Sequence, residues 1–509
     1  MEGYILMKNK KIDLKYLHIV TIIVGIIFIA LPIFHTCLWF DESYSTAIVN
    51  HTFKDIWLIG GHDVHPILYY WILHILNLIF GNNILVYRIF SVMCMVALGI
   101  IGYTHIRKDF GEKTGLLFSF LVFFFPVNVV YAGEIRMYSL AMLLITLTAI
   151  YAYRIYKKKD ELNIKNWVLF AIFSLMSAYT HYYGLMAIGI INLFLMIVFI
   201  MQSIKNKKFE PNLKAFIISG IIQIALYVPW MIYLMLQMKQ VSTGFWVGIH
   251  FPQTLIEIFT FQFVGNLIDT KYISDVVAGI YGILIIAYIV YLYFRDRKKD
   301  KLDKKTSPAI MAIRLYGLVV LGACLVSLVI WRPIIYARYF LTITTMFMFL
   351  LAYTMSTKGN KYVNIAVCVC SIILATYINI NLMKINYDSS NKEPFDYIAS
   401  EIKSDDIILY GNEGSGFVVT THYPENKSYF WDQRDWHTEE AFKAFGKDMK
   451  TIYNLDILQN YHGRIWIINS SNYAILDSVE KEYNVNLIMQ KSFNTKYKNF
   501  QYTISLVEK

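Results

Sequence analysis

A polytopic bundle of membrane-spanning helices followed by a small α/β domain outside the membrane is the fold this sequence predicts. Three observations carry the prediction. Hydrophobic residues make up 57% of the 509 and charged residues only 16%, a balance that no soluble chain of this size needs. The apolar residues fall in about eleven runs, each near the 20 residues that cross a hydrocarbon core. From about Lys384 the pattern becomes that of a folded domain of roughly 125 residues, large enough for a core of its own. A soluble enzyme, a secreted domain and a fibre are thereby excluded.

The first apolar run, Leu17 to Trp39, follows Lys8, Lys10, Lys11 and Lys15. It is too long for a signal peptide and lacks a small-residue cleavage site, so it reads as an uncleaved span. Further spans are expected over Ile84 to Ile106, Leu116 to Tyr131, Met137 to Tyr153, Trp167 to Tyr182, Leu185 to Ile200, Ala215 to Leu236, Val276 to Phe294, Ile310 to Trp331, Tyr336 to Met355 and Val363 to Met383. Between the first two, Ser43 to Ile59 is amphipathic and suits a helix lying on the membrane surface. The apolar stretch after Pro66 is too short to cross.

With the N-terminus in the cytoplasm, eleven spans put about 26 Lys and Arg against about 10 Asp and Glu on cytoplasmic segments. The outer loops and the tail have no positive excess, so the net charge of +11 faces the cytoplasm. Basic runs such as Lys205 to Lys208 are topology signals, and no nucleic-acid partner is expected. The chain reads as a multi-pass cell-membrane protein with residues 1–383 in the membrane domain and 384–509 outside.

All five cysteines fall in apolar runs, so the tail has no disulfide framework. Its expected elements are a helix over Glu393 to Ile402, a strand over Ile407 to Tyr410 and a helix over Glu439 to Ile457. A strand over Ile465 to Asn469 and closing strands near Val485 to Met489 and Phe500 to Leu506 complete it. Gly411, Gly414 and Gly416 follow a strand, but their spacing fits neither nucleotide fingerprint, and a plain loop is expected.

Carboxylates are missing from mid-span, where a charge costs about 2.5 to 3.5 kcal/mol. They gather at the outer span ends. Asp41 and Glu42 follow the interfacial aromatics Trp39 and Phe40; they either stabilise a helix N-terminus or take a proton from an acceptor hydroxyl beside the bilayer. His62, Asp63 and His65 precede Pro66, which suits a first helical turn. Two imidazoles and a carboxylate there fit either a divalent metal ion or a solvated loop. Glu134 and Arg136 lie between the third and fourth spans, paired with each other or turned to water. Arg332, Arg338 and Tyr339 stand at the outer ends of the ninth and tenth spans, where guanidinium forks either hold phosphate or anchor at the interface. A proton- or sodium-coupled transporter would bury its carboxylates deeper.

In this order the segments resemble the GT-C class of polytopic glycosyltransferases, in the branch of protein O-mannosyltransferases and the bacterial lipid A aminoarabinose transferase. The acidic pair after the first span is Phe40-Asp41-Glu42. The proline-led surface helix is His65-Pro66-Ile67-Leu68-Tyr69-Tyr70-Trp71, closed by Phe80-Gly81 before Arg88. Tyr131 to Leu140, with Glu134, Arg136 and Tyr138, matches the segment opening the fourth span, and Arg338-Tyr339 the pair leading into a late one. Two positions depart from the pattern: His65 stands where some members have a lysine that contacts the donor phosphate, and Ile67 replaces a second proline.

The resemblance implies an inverting transfer from a polyprenyl-phosphate-linked sugar to a hydroxyl or amine on the outer face. Membrane lipids surround the donor, and the acceptor is a glycolipid, a cell-wall polymer or a protein. Asp41 is the expected general base, with Glu42, Asp63 and Glu134 orienting hydroxyls or sharing a divalent metal ion with His62 and His65. His65, Tyr69, Arg88, Arg136, Tyr138, Arg332, Arg338 and Tyr339 are the expected substrate contacts. A lipid-linked oligosaccharide ligase or polymerase, and a flippase that forms no bond, are the rival readings.

Overall fold

The computed structural model describes residues 13–244, 247–248, 253–264, 273–297, 308–432, 439–446, 448–470 and 475–509. Lys8, Lys10 and Lys11 lie outside these residues. Among the described residues eight helices are long and apolar enough to cross a membrane: Leu14–Ile33, Ile84–Phe110, Tyr138–Lys157, Tyr182–Asn206, Pro211–Thr243, Pro308–Val329, Ala337–Lys358 and Lys361–Asn386. Glu112–Phe124, Ile164–Ala178 and Ile273–Arg297 take the places of the other expected spans. Ile217, Ile221 and Ile224 on one span and Ile283 and Leu284 on another are exposed in the protein alone. Such faces suit hydrocarbon, which solvates them as well as a protein core does.

Two expected spans end early, both at proline. Leu14–Ala30 gives way to a short turn, Leu31–Ile33, that contains Pro32, which leaves Cys37 and Trp39 beyond the helix. Leu116 to Tyr131 divides into Glu112–Phe124 and Pro126–Tyr131, because Pro126 has no N–H for the preceding turn and is preorganised to start a new one. The amphipathic stretch Ser43 to Ile59 likewise forms two helices, Phe40–Ile48 and Phe53–Gly60, the second capped by Thr52, which accepts from the Asp55 amide. The surface helix Leu68–Phe80 stops at Gly81, whose φ of 72° favours a residue without Cβ.

The C-terminal domain is a six-stranded sheet in the order β3-β2-β1-β4-β6-β5. β1 (Ile407–Tyr410), β2 (Ser428–Trp431), β3 (Met449–Ile452) and β4 (Arg464–Asn469) are parallel, while β6 (Gln501–Glu508) runs antiparallel to β4 and to β5 (Asn486–Asn494). The expected helix over Glu439 to Ile457 is corrected: only Glu439–Phe442 is α-helical, and β3 follows. The glycine segment after β1 is not a plain loop either. Asn412 caps a helix, Glu413–His422, and Gly416 lies so close to the Tyr410 ring that any Cβ would collide with it.

That helix docks the domain onto the membrane part. Phe417 stacks on Phe445 at 4.0 Å between centroids, and Phe40 from the first surface helix lies 5.8 Å from Phe417 and 5.9 Å from Phe445. His51 meets the Ala444 carbonyl at 3.2 Å. The aromatic seam belongs to one buried cluster that runs from Leu38 to Leu506, so the surface helices are held from both sides.

Candidate active site

Asp41 and Glu42 occupy the first turn of Phe40–Ile48, and their side chains diverge. Glu42 is fully buried. Its Oε1 accepts from Arg88 Nη1 at 2.6 Å and from the Ile135 amide at 3.0 Å; its Oε2 accepts from Arg88 Nη2 at 3.2 Å and from the Tyr497 hydroxyl at 2.8 Å. Burial by itself would raise this carboxyl, but the Arg88 guanidinium and these donors hold it below the usual carboxylate range. Arg88 also donates to the carbonyls of Cys37 and Gly133. The pair therefore ties the first helix, the second span and the 133–135 loop together.

Asp41 keeps an open side. Its Oδ2 is 2.7 Å from Arg338 Nη2 and 3.9 Å from Arg136 Nε, and among the described residues nothing donates a hydrogen bond to Oδ1. Arg136 is positioned by the Asp41 carbonyl at 3.1 Å, Ser45 Oγ at 3.3 Å and the Tyr70 hydroxyl at 3.4 Å. Tyr70 in turn donates to Asp63 at 3.5 Å. Enclosure pushes the Asp63 carboxyl up to about 6 against the pull of Arg136.

Two cavities lie beside this centre. One, of about 210 Å³, runs between Tyr182–Asn206, Pro211–Thr243 and Pro308–Val329, lined by Leu234, Met238, Val241, Val326 and Ile330 and headed by His65, His181 and Tyr339. The rings of His65 and His181 lie 5.4 Å apart, and His181 lies 5.5 Å from Tyr339. Burial, reinforced by Arg136, holds both imidazoles well below their usual range, His181 at about 3. His65 therefore favours its neutral form. The other cavity is polar, lined by His35, Glu42, Arg88, Glu134, Tyr497 and Lys498 among others. Burial pushes the Glu134 carboxyl there up to about 7, opposed by Lys498.

The structure brings together Asp41, Glu42, Asp63, His65, Glu134, Arg136, Tyr138, Arg338 and Tyr339. Tyr138 sits between them, its ring 5.8 Å from His181 and its buried hydroxyl without a partner. Three expected substrate contacts stand elsewhere. Arg332 is exposed, donating to the Ser242 and Thr243 carbonyls at 3.3 and 3.4 Å. Arg88 is engaged with Glu42, and the buried Tyr69 hydroxyl with Ser91 at 3.3 Å.

His62, Asp63 and His65 do not converge as metal ligands. His62 Nδ1 meets the Leu58 carbonyl at 2.9 Å, Asp63 faces Tyr70, and His65 turns inward to His181. Among the described residues no three His, Cys, Asp or Glu side chains are grouped to hold a metal ion. Their succession in a tight turn sends the side chains in different directions, which spacing alone does not reveal. Sequence reasoning missed His181, Tyr497 and Lys498. A histidine in the short loop between two spans was a signal for the first; the other two sit in an ordinary polar turn.

Residues 64–233, about a third of the chain, match the family model of dolichyl-phosphate-mannose-protein mannosyltransferases. A crystal structure of ArnT from Cupriavidus metallidurans bound to undecaprenyl phosphate superposes with a TM-score of 0.62 at 10% identity, covering 96% of this chain and 97% of that one. The apo form of the same protein gives 0.58 at 9% identity over the same shares. The chain shares the fold of this ArnT structure over nearly its whole length. No curated protein matches it by sequence. The GT-C fold read from Asp41-Glu42, the Pro66 helix, Glu134-Arg136 and Arg338-Tyr339 is the fold observed, and the match extends through the C-terminal domain.

Proposed function

We propose that this protein is a membrane glycosyltransferase that moves a sugar from a polyprenyl-phosphate donor to an acceptor hydroxyl or amine on the outer face, with inversion. The observation that carries the reading is the place of Asp41. It pairs with Arg338 and lies near Arg136; Tyr339, next to Arg338, heads a carbon-lined cavity from the membrane helices, and Glu42, next to Asp41, lines a charged pocket under the C-terminal domain. The prenyl chain of the donor occupies the first cavity at no loss of solvation, because lipid and cavity are alike apolar.

Asp41 takes the proton from the acceptor, whose freed electron pair attacks the anomeric carbon from the face opposite the phosphate. The bond from that carbon to the phosphate oxygen breaks, and its electron pair stays on the phosphate. Arg338 and Arg136 stabilise the charge that develops there. Glu42 acts by position: it fixes Arg88 and the 133–135 loop and has no free lone pair aimed at substrate. Among the described residues His62, Asp63 and His65 form no ligand set for a metal ion.

The test is transfer of label from a radiolabelled polyprenyl-phosphate hexose to envelope acceptors, in membranes with wild-type protein, with Asp41→Asn and without the protein. Label reaching a delipidated acceptor with wild type alone is the expected result. An intact donor in every sample, across several sugars, overturns the reading in favour of a ligase acting on diphosphate-linked oligosaccharides or a flippase.

A further inference from the structure

Besides the aromatic seam, the C-terminal domain reaches the membrane domain through the turn Tyr497–Asn499 between β5 and β6. Lys498 and Asn499 both have positive φ, 55° and 57°; asparagine adopts that region readily, whereas a lysine does so only rarely. What the turn delivers is two side chains. Tyr497 gives its hydroxyl to Glu42 at 2.8 Å, and its amide is fixed by Asn391 Oδ1 at 2.8 Å. Lys498 lies over the Trp39 ring at 4.4 Å, and Arg338 lies over the same ring at 4.9 Å.

The charges here are unequal in their partners. Arg88 has Glu42, and Arg136 and Arg338 share Asp41. Lys498 pairs with no carboxylate among the described residues, although it is half-buried and lines the polar pocket beside Glu134. A half-buried ammonium in no ion pair keeps donors free for an incoming anion, even with the Glu134 carboxyl nearby. The same pocket holds further unsatisfied polar atoms, His35 Nδ1 and Glu134 Oε2, and the indole N–H of Trp39 stands beside it unpaired.

We infer that this pocket receives the acceptor, and that Lys498 holds an anionic group, phosphate or carboxylate, that the acceptor carries near its reacting hydroxyl. The inference rests on the transfer reading above. It makes the C-terminal domain a supplier of a substrate-binding residue, with Tyr497 positioning Glu42 and the turn between them setting where the acceptor stops.

The experiment uses the purified full-length protein as wild type, Lys498→Ala and Lys498→Arg, with a labelled polyprenyl-phosphate hexose and a delipidated envelope acceptor fraction. Undecaprenyl phosphate binding is measured in parallel and shows that each variant is folded. Lys498→Ala is expected to raise the half-saturating acceptor concentration at least about tenfold, the scale of a lost charge-assisted hydrogen bond. Lipid binding should stay within about twofold of wild type, and Lys498→Arg should restore most of the acceptor dependence. Enzymatic removal of phosphate from the acceptor fraction, or methyl esterification of its carboxylates, should cost wild type as much and Lys498→Ala nothing further; whichever treatment acts names the anion. An unchanged acceptor dependence in Lys498→Ala overturns the inference, as does a loss of lipid binding equal to the loss of transfer. A wild type that transfers nothing from any donor removes the transfer reading itself and the inference with it.

Discussion

Of the two cavities beside Asp41, one is lined with carbon, with Leu185, Met238 and Val326 from three membrane helices; the other carries charge, with Glu42, Arg88, Glu134 and Lys498. The first is built chiefly by spans, with the loop residues His65 and His181 at its head, whereas the second needs loops, a span and a turn that is 455 residues from its partner Glu42. The difference follows from what each medium can solvate. A prenyl chain passes from lipid to a carbon-lined cavity without penalty, but a polar acceptor leaving water must have its hydrogen bonds replaced. Asp41 stands at the boundary, next in the chain to Glu42 of the charged lining and paired with Arg338, whose neighbour Tyr339 heads the other cavity.

The sharpest test of that boundary is to neutralise it. Asp41→Asn keeps the shape of the side chain and removes the base, so transfer should fall about a thousandfold, within the usual range for general-base loss. Retention of more than about a tenth of the activity would sink Asp41 as the base. The neighbouring change acts through the fold instead. Glu42→Gln leaves Arg88 buried at 2% exposure without its counter-charge, which should lower the unfolding free energy by about 3 kcal/mol. Denaturant titration of the purified protein checks this, and transfer per folded molecule should fall far less than in Asp41→Asn.

These two neighbours also show what a sequence can and cannot disclose. The order of spans was legible because each apolar run is long and bounded by charge, and the two that end early do so at Pro32 and Pro126, which are visible but were outweighed by hydropathy. Asp41, Glu134, Arg136 and Arg338 were legible as polar groups at span ends, where charge is expensive without a purpose. Their division of labour was not. Whether Asp41 or Glu42 is enclosed depends on Arg88, Ile135 and Tyr497, which are brought in by packing across the chain. Lys498 carries no local signal, because one lysine in a polar turn reads as solvated until the domain is docked.

The carbon-lined side is tested by filling it. Val326 lines the cavity on Pro308–Val329, and Val326→Trp should obstruct the prenyl chain, raising the donor concentration for half-maximal transfer about tenfold. A donor with a short prenyl chain should be affected much less. Equal loss with both would mean that the chain lies elsewhere, and the contrast between the two sides of Asp41 would lose its meaning.

The charged side gives the smallest effect and the most specific one, through pH. The Glu134 carboxyl is raised from an ordinary value of 4.5 to about 7 in the folded protein, first by burial. Between those two values the unfolded chain has released this proton while the folded protein still holds it, so folding is favoured at the acid end and stability falls as pH rises through the window. Above about 7 both states are ionised and the trend stops. Because the site is half-buried and Lys498 is near, the expected loss is about 1 kcal/mol rather than the full value of the shift. Glu134→Gln, which cannot ionise, should abolish it. The check is the difference in unfolding free energy between wild type and Glu134→Gln from pH 5 to pH 8. A difference that stays constant across that range, or that moves in wild type's favour as pH rises, would show that Glu134 ionises as an exposed carboxylate does and that the pocket under the C-terminal domain is not closed around it.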